Sequence, residues 1–238
     1  MQVIPCFYIQ DGKCVSLYKG QQNKQKKIYF TEPLQMARLF DMQGAKKLQI
    51  IDLNGSITGE LGNARLIQKI CKDIKSEVQL GGGIRKIGDM EKAFELGASR
   101  VVLGVSSIAI LKSALKKYGG EKIIMGIKAR HNIVDTDLML EGKIPEVTLL
   151  AKEVKEIGVT QIIYKDLEAE GTLYHPNFDM IEKIIYETGG EVDVYSSGGV
   201  ADAYDLKLLK DTGAAGVIIN RAFMENELSF PDLNNIFH

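Results

Sequence analysis

Two segments of this chain, 116 residues apart, align without a gap. VQLGGGIRKIGDMEKAFELGASRVVLGVS (Val78–Ser106) matches VYSSGGVADAYDLKLLKDTGAAGVIINRA (Val194–Ala222) at seven of 29 positions: Val78/Val194, Gly82/Gly198, Gly83/Gly199, Asp89/Asp205, Gly97/Gly213, Ala98/Ala214 and Val101/Val217. Each segment is an apolar run, a glycine pair, an amphipathic stretch that stops at Gly-Ala, and a second apolar run, which is the pattern of a βαβ unit. At a nearby offset of 114, Ile51-Asp52-Leu53 corresponds to Lys165-Asp166-Leu167. Any two βα units share some of this pattern, but two related offsets favour two equivalent halves, each built on parallel strands.

The rest of the chain fits that plan. Strands are predicted at Gln2–Phe7, Lys47–Leu53, Glu77–Leu80, Arg100–Leu103, Lys122–Ile127, Gln161–Tyr164, Asp193–Ser196 and Gly216–Ile219. Most are near-continuous apolar runs, as strands covered on both faces should be. Between them lie predicted helices Pro33–Gln43, Arg65–Ile74, Ile87–Leu96, Ser107–Tyr118, Pro145–Ile157, Asn177–Thr188 and Ala203–Thr212. Several stop at a glycine (Gly44, Gly97, Gly158, Gly213), the residue a helix C-terminus favours. Eight strand–helix units predict an α/β fold, a (β/α)8 TIM barrel built of two (β/α)4 half-barrels rather than an open sheet. No Pro/Gly/Ser-rich linker interrupts the sequence, so residues 1–238 are expected to form one domain.

Charge and composition exclude several classes. Thirty Lys and Arg balance 31 Asp and Glu, which is no footprint for nucleic acid or an anionic membrane. No run approaches the ~20 apolar residues of a membrane span, and the N-terminal MQVIPCFYIQDGK has no signal-peptide pattern, so a cytoplasmic location is expected. Cys6, Cys14 and Cys71 show no CxxC spacing and read as reduced thiols; His131, His175 and His238 form no pair at ligand spacing, so neither a metal nor a cofactor is expected.

In such a barrel the loops after the strands carry the site, and those after strands 7 and 8 frequently bind phosphate. Gly198-Gly199 and Asn220-Arg221 occupy those positions, while Gly81-Gly82-Gly83 and Gly104 are the counterparts after strands 3 and 4. Glycine lets backbone N–H groups approach phosphate oxygens beside a helix N-terminus. The plain alternative is that these glycines only make tight βα turns. Two sets related by the repeat favour two phosphate sites, and a ligand phosphorylated at both ends.

At these residues the sequence resembles the ProFAR isomerase family of histidine biosynthesis and, more distantly, the cyclase subunit of imidazole glycerol phosphate synthase. The resemblance covers essentially the whole chain. It rests on Ile4-Pro5, Asp11-Gly12-Lys13-Cys14-Val15, Ile51-Asp52-Leu53-Asn54-Gly55, Val78 to Arg85, Asp166 with Glu170-Gly171-Thr172-Leu173, Pro176-Asn177, Ser197-Gly198-Gly199-Val200 and Gly216 to Ile219. It implies an Amadori aldose–ketose isomerisation of a bis-phosphorylated ribonucleotide without metal or organic cofactor. It also assigns Gly81–Gly83, Arg85, Gly104, Gly171, Thr172, Ser197, Gly198, Gly199, Asn220 and Arg221 to ligand binding. Asp52 and Asp166 would orient substrate hydroxyls, with helix capping the near alternative.

The family's two catalytic aspartates, at the ends of strands 1 and 5, correspond to Tyr8 and Lys128. A strand-6 threonine corresponds to Lys165, an active-site tryptophan falls near Met139, the threonine after Gly104 is Val105, and Asn220 stands for a glycine. Tyrosine and lysine both hold a proton near neutrality, so Lys128 becomes a base only if burial or the neighbouring Lys165 depresses its pKa. Three readings follow. The barrel binds a phosphorylated sugar or ribonucleotide with the parent isomerisation lost; or Lys128 with Lys165 does amine chemistry on a carbonyl or sugar phosphate; or the barrel is a non-catalytic partner of another protein, which no residue specifically indicates. His175 reads as an exposed loop histidine, and Lys24-Gln25-Lys26-Lys27 as a solvated run or a lid over the ligand.

Overall fold

Strand and helix periods alternate along the chain, and the computed structural model turns that alternation into a closed barrel. It describes residues 1–20, 28–30, 32–136, 143–230 and 233. The barrel strands are β1 (Gln2–Gln10), β2 (Lys47–Asp52), β3 (Glu77–Gly81), β4 (Arg100–Gly104), β5 (Ile123–Arg130), β6 (Gln161–Asp166), β7 (Asp193–Ser197) and β8 (Gly216–Ile219). Each pairs in parallel with the next. β8 returns to β1, with Gln2 to Pro5 opposite Gly216 to Ile219, so the sheet has no edge where the barrel closes. The long intervening helices begin and end within two residues of the predicted bounds. All four predicted terminal glycines adopt positive φ.

β1 and β5 run three residues past their predicted ends, for one reason. Each turns back as an antiparallel hairpin, with Lys13–Val15 pairing β1 and Ile133–Val134 pairing β5. The turns are Asp11-Gly12 and His131-Asn132, with positive φ at both residues of each, as a two-residue hairpin with the right-handed strand twist requires.

Alternation along each strand separates two apolar layers. Ile4, Cys6, Tyr8, Ile124, Ile163, Tyr195 and Ile218 fill the lumen, while Phe7, Ile9, Leu48, Ile50, Ile162 and Tyr164 pack outward under the helices. The same alternation turns Asp52 and Asp166 outward and Lys128 and Lys165 inward.

The internal repeat is equally plain in the hydrogen bonds. Arg85 N donates to Asp89 Oδ2 at 2.9 Å, and at the equivalent place Ala201 N donates to Asp205 Oδ2 at 2.7 Å. Asn63 Nδ2 donates to Asp52 Oδ1 at 2.8 Å, and Asn177 Nδ2 to Asp166 Oδ2 at 3.0 Å. The Asp89/Asp205 identity therefore ties the first turn of a helix to the loop before it in both halves. Among the described residues, no helix is long and apolar enough to cross a membrane.

Candidate functional site at the barrel mouth

Tyr8 of β1, Lys128 of β5 and Lys165 of β6 face the lumen near the strands' C-terminal ends, so three of the four candidate catalytic positions converge on the mouth. Lys128 and Lys165 are direct neighbours in the β5–β6 register. A residue singled out only within the Glu170-Gly171-Thr172-Leu173 motif completes the group. Tyr8 Oη donates to Glu170 Oε1 at 2.5 Å, and Lys165 Nζ donates to Tyr8 Oη at 2.6 Å and to Glu170 Oε1 at 2.9 Å. The Lys165 ammonium also lies 4.8 Å from the centre of the Tyr8 ring. All three side chains are buried.

Glu170 reaches this place because the loop after β6 folds inward. Asp166 accepts from the Glu168 and Ala169 amides through Oδ1, its carbonyl accepts from Glu170 N, and Lys19 N donates to the Glu170 carbonyl. No strand or helix period assigns Glu170 a direction; the only sequence signal for it is its place in the Glu170-Gly171-Thr172-Leu173 motif.

The group's electrostatics follow from burial and mutual contact. Burial pushes the Tyr8 phenol well above its ordinary pKa, and the Glu170 charge adds to it, so the phenol stays protonated. Burial alone would raise the Glu170 carboxyl; the Lys165 charge, the hydrogen bonds from Tyr8 and Lys165, and the Lys128 charge together bring it below the usual value. Glu170 is therefore ionised at neutral pH. Its second oxygen, Oε2, is buried without a hydrogen-bond partner. Below it, burial pushes the Cys6 thiol up to about 12, which leaves that sulfur unreactive.

Lys128 differs from Lys165. Solvent reaches it through the mouth, but barrel walls surround it otherwise, and its ammonium makes no hydrogen bond to the described residues. Burial first, then the Lys165 charge, lowers its pKa, only partly countered by Glu170 and Asp135.

The mouth has two lobes that share Tyr8 and Glu170 as a common wall. The larger lies over β2 to β6 and is lined by Gly81–Gly83, Arg85, Gly104, Ser106, Lys128, Asp135 and Lys165; the smaller lies under the β7 and β8 loops and is lined by Gly171, Ser197–Gly199, Asn220 and Arg221. Ser106 and Asp135 are lining residues that the sequence reading did not single out. Thr172 faces neither lobe; its hydroxyl closes a turn onto the Ala169 carbonyl.

Several assignments change. Asp52 is wholly buried, and its carboxylate accepts from Gly55 N, Asn63 N and Asn63 Nδ2. Asp166 is committed to Glu168 N, Ala169 N and Asn177 Nδ2. Both face out of the lumen and organise loops, so the capping alternative accounts for them. Gly82 has the same kind of explanation: a Cβ there would meet Asp52 O at 2.2 Å, and at Gly198 it would meet Asp166 O at 2.8 Å. These glycines are required by strand-end packing, whatever the loops bind. His175 Nδ1 sits 2.7 Å from Asp205 Oδ1 with its ring largely exposed. Met139, His238 and Lys24 to Lys27 lie outside the described residues.

A family model described as "Histidine biosynthesis protein" matches residues 2–229. Among curated relatives, a protein of Bacillus anthracis (strain CDC 684 / NRRL 3495) is 35% identical over 236 residues, 98% of this chain and 97% of its own length. One from Thermoanaerobacter sp. (strain X514) is 38% identical over 233 residues, 97% of both chains. Each is named 1-(5-phosphoribosyl)-5-((5-phosphoribosylamino)methylideneamino) imidazole-4-carboxamide isomerase. With a closed eight-stranded barrel, a family match over nearly its full length and relatives above one-third identity, this chain belongs to the histidine-biosynthesis protein family of (β/α)8 barrels.

Proposed function

We propose that the mouth binds a phosphorylated ribosyl or imidazole-ribonucleotide-type ligand, and that the family's aldose–ketose isomerisation is lost. The observation that carries this is the bonding of Tyr8. The rearrangement needs an acid to protonate the ribose ring oxygen and a base to remove the proton from C2. Tyr8, at the position of one family aspartate, is a buried phenol whose proton goes to Glu170 rather than toward the cavity. Lys128, at the other position, contributes a cation where a carboxylate base is required. Glycine loops and the cations Arg85 and Lys128 at the larger lobe supply what a phosphate ester needs.

The test is turnover of the aminoaldose named for the relatives, followed by ultraviolet absorbance, beside the Tyr8→Asp/Lys128→Asp double variant. No turnover by the unaltered chain and activity in the double variant is the expected result. Turnover by the unaltered chain that disappears in Lys128→Ala refutes the loss of isomerisation.

A second function is favoured by one observation, the lowered Lys128 pKa beside Lys165. A lowered pKa enlarges the neutral fraction of the amine, and the neutral amine adds to a carbonyl carbon, with loss of water leaving an iminium. Borohydride reduction with a carbonyl-bearing sugar phosphate would then fix label on Lys128; an unlabelled lysine after reduction removes this alternative.

A further inference from the structure

Neighbouring strands of a sheet lie about 4.7–4.9 Å apart, and parallel residues in register project to the same face. Lys128 of β5 and Lys165 of β6 are such a pair, and both line the larger lobe. Two ammonium groups so placed repel each other, and the site satisfies them unequally. Lys165 carries three N–H donors; one goes to Tyr8 Oη at 2.6 Å and one to Glu170 Oε1 at 2.9 Å. Its third donor has no partner among the described residues, and Lys128 Nζ has none at all among them.

The charged and titratable groups around Lys128 are mixed. Lys165 and Glu170 approach from β6 and its loop, and Asp135 from the hairpin after β5; Tyr8 of β1 and Arg85 of the β3 loop line the same lobe. Burial first, then Lys165, lower the Lys128 pKa against Glu170 and Asp135, so more of this lysine is neutral amine than of a solvated one. The lobe in front of it offers about 270 Å³ to the centres of water-sized spheres, where one water needs roughly 10–15 Å³. A group of three heavy atoms fits beside Nζ, and solvent reaches the amine through the mouth.

We propose that Lys128 is a carbamylation site that takes carbon dioxide on Nζ, the product being held by the unspent donor of Lys165. The nitrogen lone pair of the neutral amine bonds to the carbon of carbon dioxide, one C–O π bond opens onto oxygen, and the nitrogen releases one proton to solvent. Nothing is oxidised or reduced. The cation at Lys128 becomes a planar anion, and Lys165 then lies between two carboxylate groups, Glu170 and the carbamate, that share its donors. Occupancy by carbon dioxide thereby sets the sign of the charge that a ligand meets at this wall. The modification does not depend on which ligand the mouth takes. It is also distinct from an iminium at the same lysine, since borohydride leaves a carbamate unreduced.

The full chain equilibrated with carbon-13-labelled bicarbonate at pH 8 and read by carbon-13 NMR tests it. Triethyloxonium ion then alkylates the carbamate, so that peptide mass mapping places it. The expected result is a carbamate resonance that is absent from Lys128→Met, fades at pH 6 as protons reverse the addition, and maps to Lys128. Trapped label there should exceed that on Lys112, an exposed lysine of an outer helix, about 10-fold or more, the effect of one charge-assisted hydrogen bond. Asp135→Asn removes an exposed charge that opposes the carbamate, and at subsaturating bicarbonate it should raise the labelled fraction about 2–5-fold. Label on Lys128 no greater than on Lys112, or a labelled fraction that falls in Asp135→Asn, overturns the proposal.

Discussion

Removing the charge of Glu170 while keeping its shape, Glu170→Gln, should destabilise the protein sharply. The Lys165–Glu170 contact is 2.9 Å, and the two side chains are only 10% and 7% exposed. Coulomb's law at an effective dielectric of about 20 gives roughly 6 kcal/mol of gross attraction at that distance, against a desolvation cost of several kcal/mol per ion. The net worth of the intact pair is therefore small. Its rupture is not, because a lysine left buried without its counter-charge costs about 3–5 kcal/mol. For a chain of 238 residues, a loss of that size lowers Tm by about 6–20 °C, at about 2–4 °C per kcal/mol. Lys165→Met should cost a comparable amount, and the double variant should be more stable than the sum of the two losses predicts. The pH dependence has a fixed sign. Glu170 has a lowered pKa in the folded state, so it binds fewer protons there than in the unfolded chain. Its contribution is full above the unfolded carboxyl value of about 4.3 and disappears as pH falls through the lower folded value. Urea unfolding of the parent and Glu170→Gln proteins, followed by circular dichroism from pH 7 to pH 3, measures both effects. A Glu170→Gln protein within about 1 kcal/mol of the parent at pH 7 would refute the account, since Lys165 would then be finding solvent rather than a buried partner.

Lys128→Met should raise stability at pH 7: the folded protein depresses this pKa, so charged Lys128 opposes folding, and the advantage should shrink as pH rises toward the ordinary lysine value of about 10.4. Thermal melts at pH 7 and pH 10 check it, and equal shifts at both would count against it. Gly82→Ala should destabilise by about 2–6 kcal/mol, combining strain at its φ of 94° with a Cβ 2.2 Å from the Asp52 carbonyl oxygen; urea unfolding measures it, and a cost near zero would mean that the β3 turn relaxes freely. Asp52→Ala should cost about 1–3 kcal/mol by leaving buried amides unanswered, yet leave ribose 5-phosphate affinity unchanged in calorimetry. A selective loss of affinity would instead return Asp52 to the ligand.

The barrel was legible because it is written redundantly. Most strands are apolar runs, the long helices are amphipathic, and a misjudged residue at one end does not change the plan. What escaped was local. The Asp11-Gly12 hairpin carries a strong short turn signal, Asp-Gly between apolar strands, that also belongs to a family motif. Its counterpart His131-Asn132 adopts the same positive φ values with no glycine to announce it. The short helix Leu53–Thr58 followed from Asp52 capping Gly55 N, a geometry that the apolar pattern does not report.

The site was half legible, and the division has a physical cause. Period-two alternation carries Tyr8, Lys128 and Lys165 to one surface from strand positions alone. It also turns Asp52 and Asp166 away from that surface, so their outward faces were readable before any hydrogen bond was known. Glu170 lies in a loop, where no period assigns direction. Its inward turn depends on the Asp166 carboxylate, the Lys19 amide and a lysine at position 165. That dependence explains the chemistry of the mouth better than any single replacement does. Lysine at 165 provides a partner that makes a buried carboxylate at 170 tolerable, and tyrosine at 8 provides a donor that shares it. The three residues satisfy one another, and groups bonded to each other have less to offer a substrate. This mutually satisfied trio forms the floor of the mouth. If isomerisation is lost as proposed, turnover should require Tyr8→Asp together with Lys128→Asp. If Lys128→Asp alone restores it, then Tyr8, Glu170 and Lys165 exchange partners easily and the floor is not a fixed wall.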